Sequence, residues 1–153
     1  MAQFQMEFGE DFLDELLNSD FDIIAEEALK EAIPVLEKSM KNQVKKVIQH
    51  KGESELVASL KASKPKKSKT DAWIATVTPK GYSSVKVYIA KDGKGRKTGR
   101  KYKVSNALKA IWKEYGIPGR QAPRPFINAA TNAATPEVLQ KMQEVYNRKV
   151  GAK

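Results

Sequence analysis

Cysteine is missing altogether from this 153-residue chain, and histidine occurs once, at His50. The first absence excludes disulfides, thiolate metal sites and a cysteine nucleophile, and it fits a protein assembled in a reducing cytoplasm. With one imidazole and no thiol the usual zinc spacings fail. A hydrolytic triad would also lack a GxSxG to present its serine. The spacing around His50 puts it at a helix C-terminus, where a cation is favoured without any catalytic role. Long hydrophobic runs are scarce too. No stretch approaches the ~20 apolar residues of a membrane span, and the opening MAQFQMEFGED has neither the basic start nor the apolar core of a secretory signal. The expectation is a soluble intracellular protein with no catalytic residue, metal or cofactor and no membrane partner.

Charge is abundant and unevenly spread. The formal charge is +10, yet Met1 to Ile33 holds ten acids and a single base, Lys30, for a net −9, which leaves +19 on the remainder. Such a split points to a nucleic-acid surface on the basic part, or to contact between the acidic end of one copy and the basic part of another; two solvated faces would give the same counts. Glu26 and Glu27 on the acidic side, and Lys91, Lys94, Arg96, Lys97, Arg100 and Lys101 on the basic side, are the interaction candidates. Asp11, Asp14 and Glu15 read as an acidic helix start, not a cation site.

The length predicts one domain covering residues 1–153, divided into an acidic helical part (1–33), a basic hairpin and loop region (61–103) and C-terminal helices (104–150). Phe4, Met6 and Phe8 alternate like a short strand, and Phe12, Leu13, Leu16 and Leu17 share a helical face before Asn18-Ser19-Asp20 breaks it. Ile24, Ala28, Ala32, Leu36, Met40, Val44 and Ile48 recur every four residues, so a long amphipathic helix runs from near Asp22 to near His50, kinked or divided at Pro34. Residues 54–61 suit a short capped helix, and KASKPKKSK a polar connection. Alternation at Trp73, Ala75 and Val77, and again at Val85, Val87 and Ile89, predicts an antiparallel hairpin turning at PKGYSS.

KDGKGRKTGRK then reads as a mobile basic loop that fits neither the P-loop nor the dinucleotide-binding template. With the bases of 61–69 and nearby Trp73, Tyr82 and Tyr88, it would also make a phosphate-tracking surface with stacking groups, although no recognised DNA or RNA motif is present. A helix follows over Val104 to Tyr115, capped by Ser105, with Leu108, Ile111, Trp112 and Tyr115 on one face and Gly116 as its stop. The last helix is expected over 133–150, started by Thr135-Pro136-Glu137 and striped by Val138, Leu139, Met142, Val145 and Tyr146. The fold class is α+β: a long N-terminal helix and further helices packed on a small antiparallel sheet.

Between the last two helices lies EYGIPGRQAPRPFINAA. Pro123 and Pro125 hold Ala122 and Arg124 extended and present Phe126 at a fixed angle, so the segment reads as a rigid strut with one core anchor. In order and spacing, Glu114-Tyr115-Gly116, Pro123-Arg124-Pro125-Phe126 before Asn128-Ala129-Ala130, and the earlier Glu53-Ser54-Glu55-Leu56-Val57-Ala58-Ser59-Leu60 followed by bases resemble the small tail-component proteins of long-tailed bacteriophages. These are variously called tail-completion, head-tail joining or minor capsid proteins. The resemblance runs from about Asp22 to the end, with two departures: Ser54-Glu55 stands where many members carry Thr-Gly or Ser-Gly, and the loop at 91–103 is unusually basic. It implies a non-enzymatic virion protein of the neck or tail, formed in the host cytoplasm. Its partners would be connector, tail-tube or tail-terminator proteins and further copies of itself in a ring, with non-specific DNA contact as a companion role. It also marks Glu114, Tyr115, Gly116, Pro123, Pro125 and Phe126 as the family scaffold. The alternative is a basic nucleic-acid-binding protein.

Overall fold

The every-fourth-residue apolar row builds the first element of the computed structural model, which describes residues 21–49, 54–91, 93–94 and 96–150. Helix α1 spans Phe21–Val47 and buries Ile24, Ala28, Ala32, Leu36, Met40 and Val44, with Ile33 beside them. It continues through Pro34 as one helix, so the expected division into two is absent. Proline lacks the N–H that would bond the Lys30 carbonyl, and both residues are exposed. The expected strand at Phe4–Phe8, the helix at Asp11–Leu17 and His50 lie outside the described residues.

Short helix α2 (Ser54–Ser59) gives way to strand β1 at Leu60, earlier than the expected end near Lys61. Strands β1 (Leu60–Ala62), β2 (Lys66–Lys67), β3 (Trp73–Ile74) and β4 (Val77–Pro79) form two antiparallel ladders, β1 with β4 and β2 with β3. Their registers, Leu60↔Pro79, Ala62↔Val77 and Lys67↔Trp73, make residues 60–79 one interrupted hairpin. Lys61, Lys66 and Lys67 of the basic run at 61–69 are therefore strand residues. Trp73 to Val77 pairs backward with it, not forward with Val85 to Ile89 as alternation suggested. Alternation identifies a strand without naming its partner, and here a five-residue turn, closed by Ser68 N–H donating to Ala72 O at 2.7 Å, brings the earlier run within reach.

Strand β5 (Tyr82–Lys91) instead pairs with β6 (Lys97–Ser105), with Tyr88 opposite Tyr102, Ile89 opposite Lys101 and Lys91 opposite Lys97. The expected mobile loop at 91–103 is mostly strand; glycines and bases lower strand propensity, but a long partner strand supplies the hydrogen bonds that override it. This ribbon is a sheet of its own, bonded to neither of the other ladders.

Helix α3 (Asn106–Tyr115) starts at the expected cap, Ser105, whose Oγ accepts from Leu108 N at 3.1 Å. Helix α4 (Ile127–Val150) begins six residues before its expected start and carries Pro136 within it. Four alanines among residues 127–134 favour a helix, and the real start signal is tertiary, as described below. Helices α1 and α4 lie antiparallel: Ser39 Oγ donates to Ala130 O at 2.8 Å at one end, and Arg148 pairs with Glu27 (3.1 Å) and Glu31 (2.5 Å) at the other. Between them and the sheet sits one core of Ala32, Ile33, Leu36, Met40, Val44, Leu56, Leu60, Ala110, Phe126, Ala130, Ala134 and Val138. The architecture is α+β, a helical pair with small antiparallel ladders packed beside it.

Candidate interaction surface

Helix α3 is amphipathic in an inverted sense. Its inner face is Asn106, Lys109, Ala110 and Lys113, each 8% exposed or less, while Leu108, Ile111 and Tyr115 are 38%, 52% and 72% exposed. The reason lies beneath it. Lys109 Nζ donates to Ser83 Oγ at 2.7 Å and stands 3.8 Å from Glu55 Oε2, and Ser83 Oγ donates to the same carboxylate at 3.1 Å. The lysine stem covers apolar surface while its ammonium finds a charge partner, so a polar residue serves as the inner contact. At the helix start Asn106 Nδ2 donates to Lys80 O at 2.8 Å. The Leu108, Ile111 and Tyr115 side chains are left pointing to solvent, with Trp112 half-buried at the edge.

The strut after α3 completes this surface and holds the two helices together. Helix α3 ends in carbonyls with no helical partner, and α4 begins in N–H groups with none. The segment between them pairs these off. Gln121 Nε2 donates to Trp112 O at 3.2 Å and Arg124 N to Lys113 O at 2.7 Å. Glu114 Oε2 accepts from Phe126 N at 2.8 Å and Ile127 N at 3.2 Å. The carboxylate of one helix thus caps the other and places negative charge at its positive end, which is why α4 starts at Ile127 without a local cap.

Gly116 has φ 79° and ψ −176°, a region that essentially only glycine occupies. A Cβ there would meet Gln121 O at 2.6 Å and Pro123 N at 2.9 Å. The turn beyond it is closed by Ile117 N to Gln121 O (2.8 Å) and Gln121 N to Ile117 O (2.9 Å). Phe126 is 1% exposed and is the bulkiest fully buried side chain among the described residues. Pro123 and Pro125 are exposed. Tyr115 also borders a shallow dent of about 390 Å³ formed by residues 117–123, so the apolar stripe continues past the helix.

The interaction candidates fall elsewhere and do not converge. Glu26 is exposed on α1, whereas Glu27 is held within the chain by Arg148 and by Lys149 at 2.7 Å. The hydrogen bond from Lys149 keeps the Glu27 carboxyl below its ordinary range. Lys91, Lys97, Arg100 and Lys101 lie on the β5–β6 ribbon, and Lys94 and Arg96 are exposed at its turn. Asp22 accepts from Lys67 Nζ at 2.8 Å and Trp73 Nε1 at 2.9 Å, chiefly the former lowering its pKa, and so pins the β2–β3 turn to the start of α1.

Ser83 beside Lys109 has the spacing of a serine–lysine pair, but it is 1% exposed and no substrate reaches it. Among the described residues no group of three or more metal-ligating side chains gathers, and no helix is long and apolar enough to cross a membrane. An open groove of about 600 Å³ lies between Lys41, Lys45, Ile48, Val57 and Ala58, and the described residues that line it include no acid–base pair.

The outward stripe on α3 is the feature that periodicity could not orient. Leu108, Ile111 and Tyr115 recur at helical spacing, but so do Asn106, Lys109 and Lys113. Which face turns inward depends on Glu55 and Ser83, far away in sequence. The chain matches no protein-family model, no curated protein and no solved structure.

Proposed function

We propose that this protein is a structural component of a bacteriophage neck or tail, of the tail-completion or head-tail joining kind, that works by protein–protein assembly and carries no catalytic activity. The observation that carries the reading is the outward apolar face of α3, with Ile111 half-exposed and Tyr115 largely so beside the Tyr115–Pro123 dent. Contiguous apolar surface of this kind marks a contact with another protein, and tyrosine is among the residues enriched in such contacts. The backbone behind it is rigid, so the surface is offered preformed and little ordering entropy is lost on docking. The resemblance at Glu114-Tyr115-Gly116 and Pro123-Arg124-Pro125-Phe126 supports the same role, because those residues build the joint that presents the face. Its partners are the connector and tail-tube or terminator proteins, together with further copies of the chain.

The test is deletion of the gene from the phage that carries it, with the lysate imaged by negative-stain electron microscopy. Filled heads beside separate tails support joining or completion, and abnormal tail length supports termination. Intact infectious particles refute the reading. A basic nucleic-acid-binding role is the second reading, favoured by the exposed Lys94 and Arg96 on a ribbon rich in bases. Duplex binding whose affinity falls steeply with salt supports it.

A further inference from the structure

The hairpin of residues 60–79 has two unlike faces. Leu60 stands in the core, and Ala62, Ala75 and Val77 pack against it. Successive strand residues point to opposite faces, so Lys61 and Thr78, which oppose each other, lie on the outer one, and both are exposed. The second ladder, Lys66 with Ile74 and Lys67 with Trp73, sorts in the same way. Lys67 and Trp73 both bond to Asp22 on α1, which turns Lys66 and Ile74 outward, and these two are exposed as well. Lys80, also exposed, extends the row past β4, its N–H donating to Ser59 O at 2.8 Å.

Charge on this face is of one sign. Residues 61–80 hold six lysines and a single acid, Asp71, which stands 3.1 Å from Lys67. Lys61, Lys64, Lys66, Lys69 and Lys80 are exposed and pair with no acid among the described residues. Glu37, whose carboxyl feels Lys61, is already engaged by Lys41 and by Ala62 N. Such a surface suits phosphate better than protein. Lysine is depleted in protein interfaces, and within residues 60–80 Ile74, at 39%, is the only large apolar side chain exposed. Trp73, the one aromatic of the hairpin, is held to Asp22 on the other face, so a single strand finds no stacking platform in this row, whereas a duplex asks only for point charges along its backbone. From Ile74 to Lys80 the face measures at most about 20 Å. Over that length each strand of a duplex carries about six phosphates, enough to engage every lysine of the row.

We infer that the outer face of the 60–80 hairpin is a surface for the phosphate backbone of duplex DNA, held without regard to base sequence by Lys61, Lys66 and Lys80, with Lys64 and Lys69 beside them and the exposed Thr78 hydroxyl as a neutral donor. The inference deepens the second reading above, nucleic-acid binding, and rests on it. It puts the contact on a face backed by the core, not on the β5–β6 ribbon, which is a sheet of its own.

The test is fluorescence anisotropy of a fluorescein-labelled DNA duplex of about 20 base pairs, titrated with the full chain between about 50 and 200 mM NaCl. Each lysine seated on a phosphate adds about −0.9 to the slope of log affinity against log salt, so a Lys61→Ala, Lys66→Ala, Lys80→Ala chain should flatten that slope by about 2.7. Lys38→Ala, Lys45→Ala, Lys46→Ala removes the same charge from exposed sites on α1 and should leave the slope within about one unit of the parent. All six positions are exposed, so both variants should melt like the parent in circular dichroism. Parent binding whose slope is unchanged in the hairpin variant, or flattened equally by the two variants, overturns the inference and leaves the nucleic-acid reading to another surface. Tighter binding of the single strand than of the duplex overturns it too. No duplex binding by the parent at the lowest salt overturns the inference and the nucleic-acid reading together.

Discussion

Replacing Gly116 by alanine tests the strut at its tightest point, and Gly119 three residues on supplies the control. Both glycines have positive φ, 79° and 68°, so both substitutions carry conformational strain. They differ in what the new methyl meets. At Gly119 nothing lies within 4 Å, and the cost is the strain alone, about 1 to 2 kcal/mol. At Gly116 the methyl falls 2.6 Å from Gln121 O and 2.9 Å from Pro123 N, both backbone atoms of a segment fixed by Arg124 N to Lys113 O and by the 117–121 turn. To make room, the chain must loosen the bonds that cap α3 and α4, so strain of about 1 to 3 kcal/mol is joined by lost packing and hydrogen bonding, for about 3 to 5 kcal/mol in all. In a domain of this size that lowers Tm by roughly 6 to 20 °C, against about 2 to 8 °C for Gly119→Ala. Thermal and urea unfolding followed by far-ultraviolet circular dichroism measures both. Equal losses for the two variants, or a Gly116→Ala protein within about 1 kcal/mol of the parent, would refute the account of the strut.

Phe126→Ala should cost about 3 to 5 kcal/mol in urea unfolding, because a fully buried ring leaves a cavity that the fixed helix start cannot collapse. Glu114→Ala should cost about 1 to 2 kcal/mol by the loss of the α4 cap, and Glu114→Gln visibly less, since an amide oxygen still accepts from Phe126 N and Ile127 N; equal losses would show that charge, not the hydrogen bonds, does the capping. Stability should also fall in acid. Asp22, Glu27, Glu37 and Glu144 all have carboxyl pKa values lowered, first by hydrogen bonds from Lys67, Lys149, Lys41 and Lys141 respectively. A lowered folded pKa contributes stability that is present above the ordinary values of 3.8 and 4.5 and is lost as pH falls through the lowered ones. Urea midpoints measured from pH 7 down to pH 3 should therefore decline below about pH 4.5, and a flat profile would contradict the ion-pair clamps.

Much of the helical layer is legible in the sequence, because burial imposes a period. Ile24 through Val44 announce α1 residue by residue, Ser105 announces the cap of α3, and Pro123-Arg124-Pro125-Phe126 announces a core anchor. What the sequence leaves hidden depends on partners distant along the chain. The start of α4 is set by Glu114, twelve residues before Phe126, so the local signal at Thr135-Pro136 misleads. Strand pairing is hidden for the same reason: Val77 finds Ala62, and Val87 finds Lys103. The outer face of α3 is the sharpest case, because both of its faces have helical spacing, and the choice is made by buried Lys109 and Ser83 with half-buried Glu55, drawn from three elements. The charge asymmetry, evident from counts, changes meaning once Glu27 is seen engaged by Arg148 and Lys149, which leaves Glu26 as the exposed member of that pair.

The most direct measurement is complementation of the gene-deleted phage with the parent protein and with an Ile111→Asp, Tyr115→Asp variant, scored by titre and by electron microscopy. Both positions are at least half-exposed, so the variant should fold and unfold like the parent. The account predicts that the parent protein restores joined, infectious particles while the variant leaves filled heads and detached or misfinished tails. Normal titre from a folded variant, or from phage lacking the protein altogether, would contradict it.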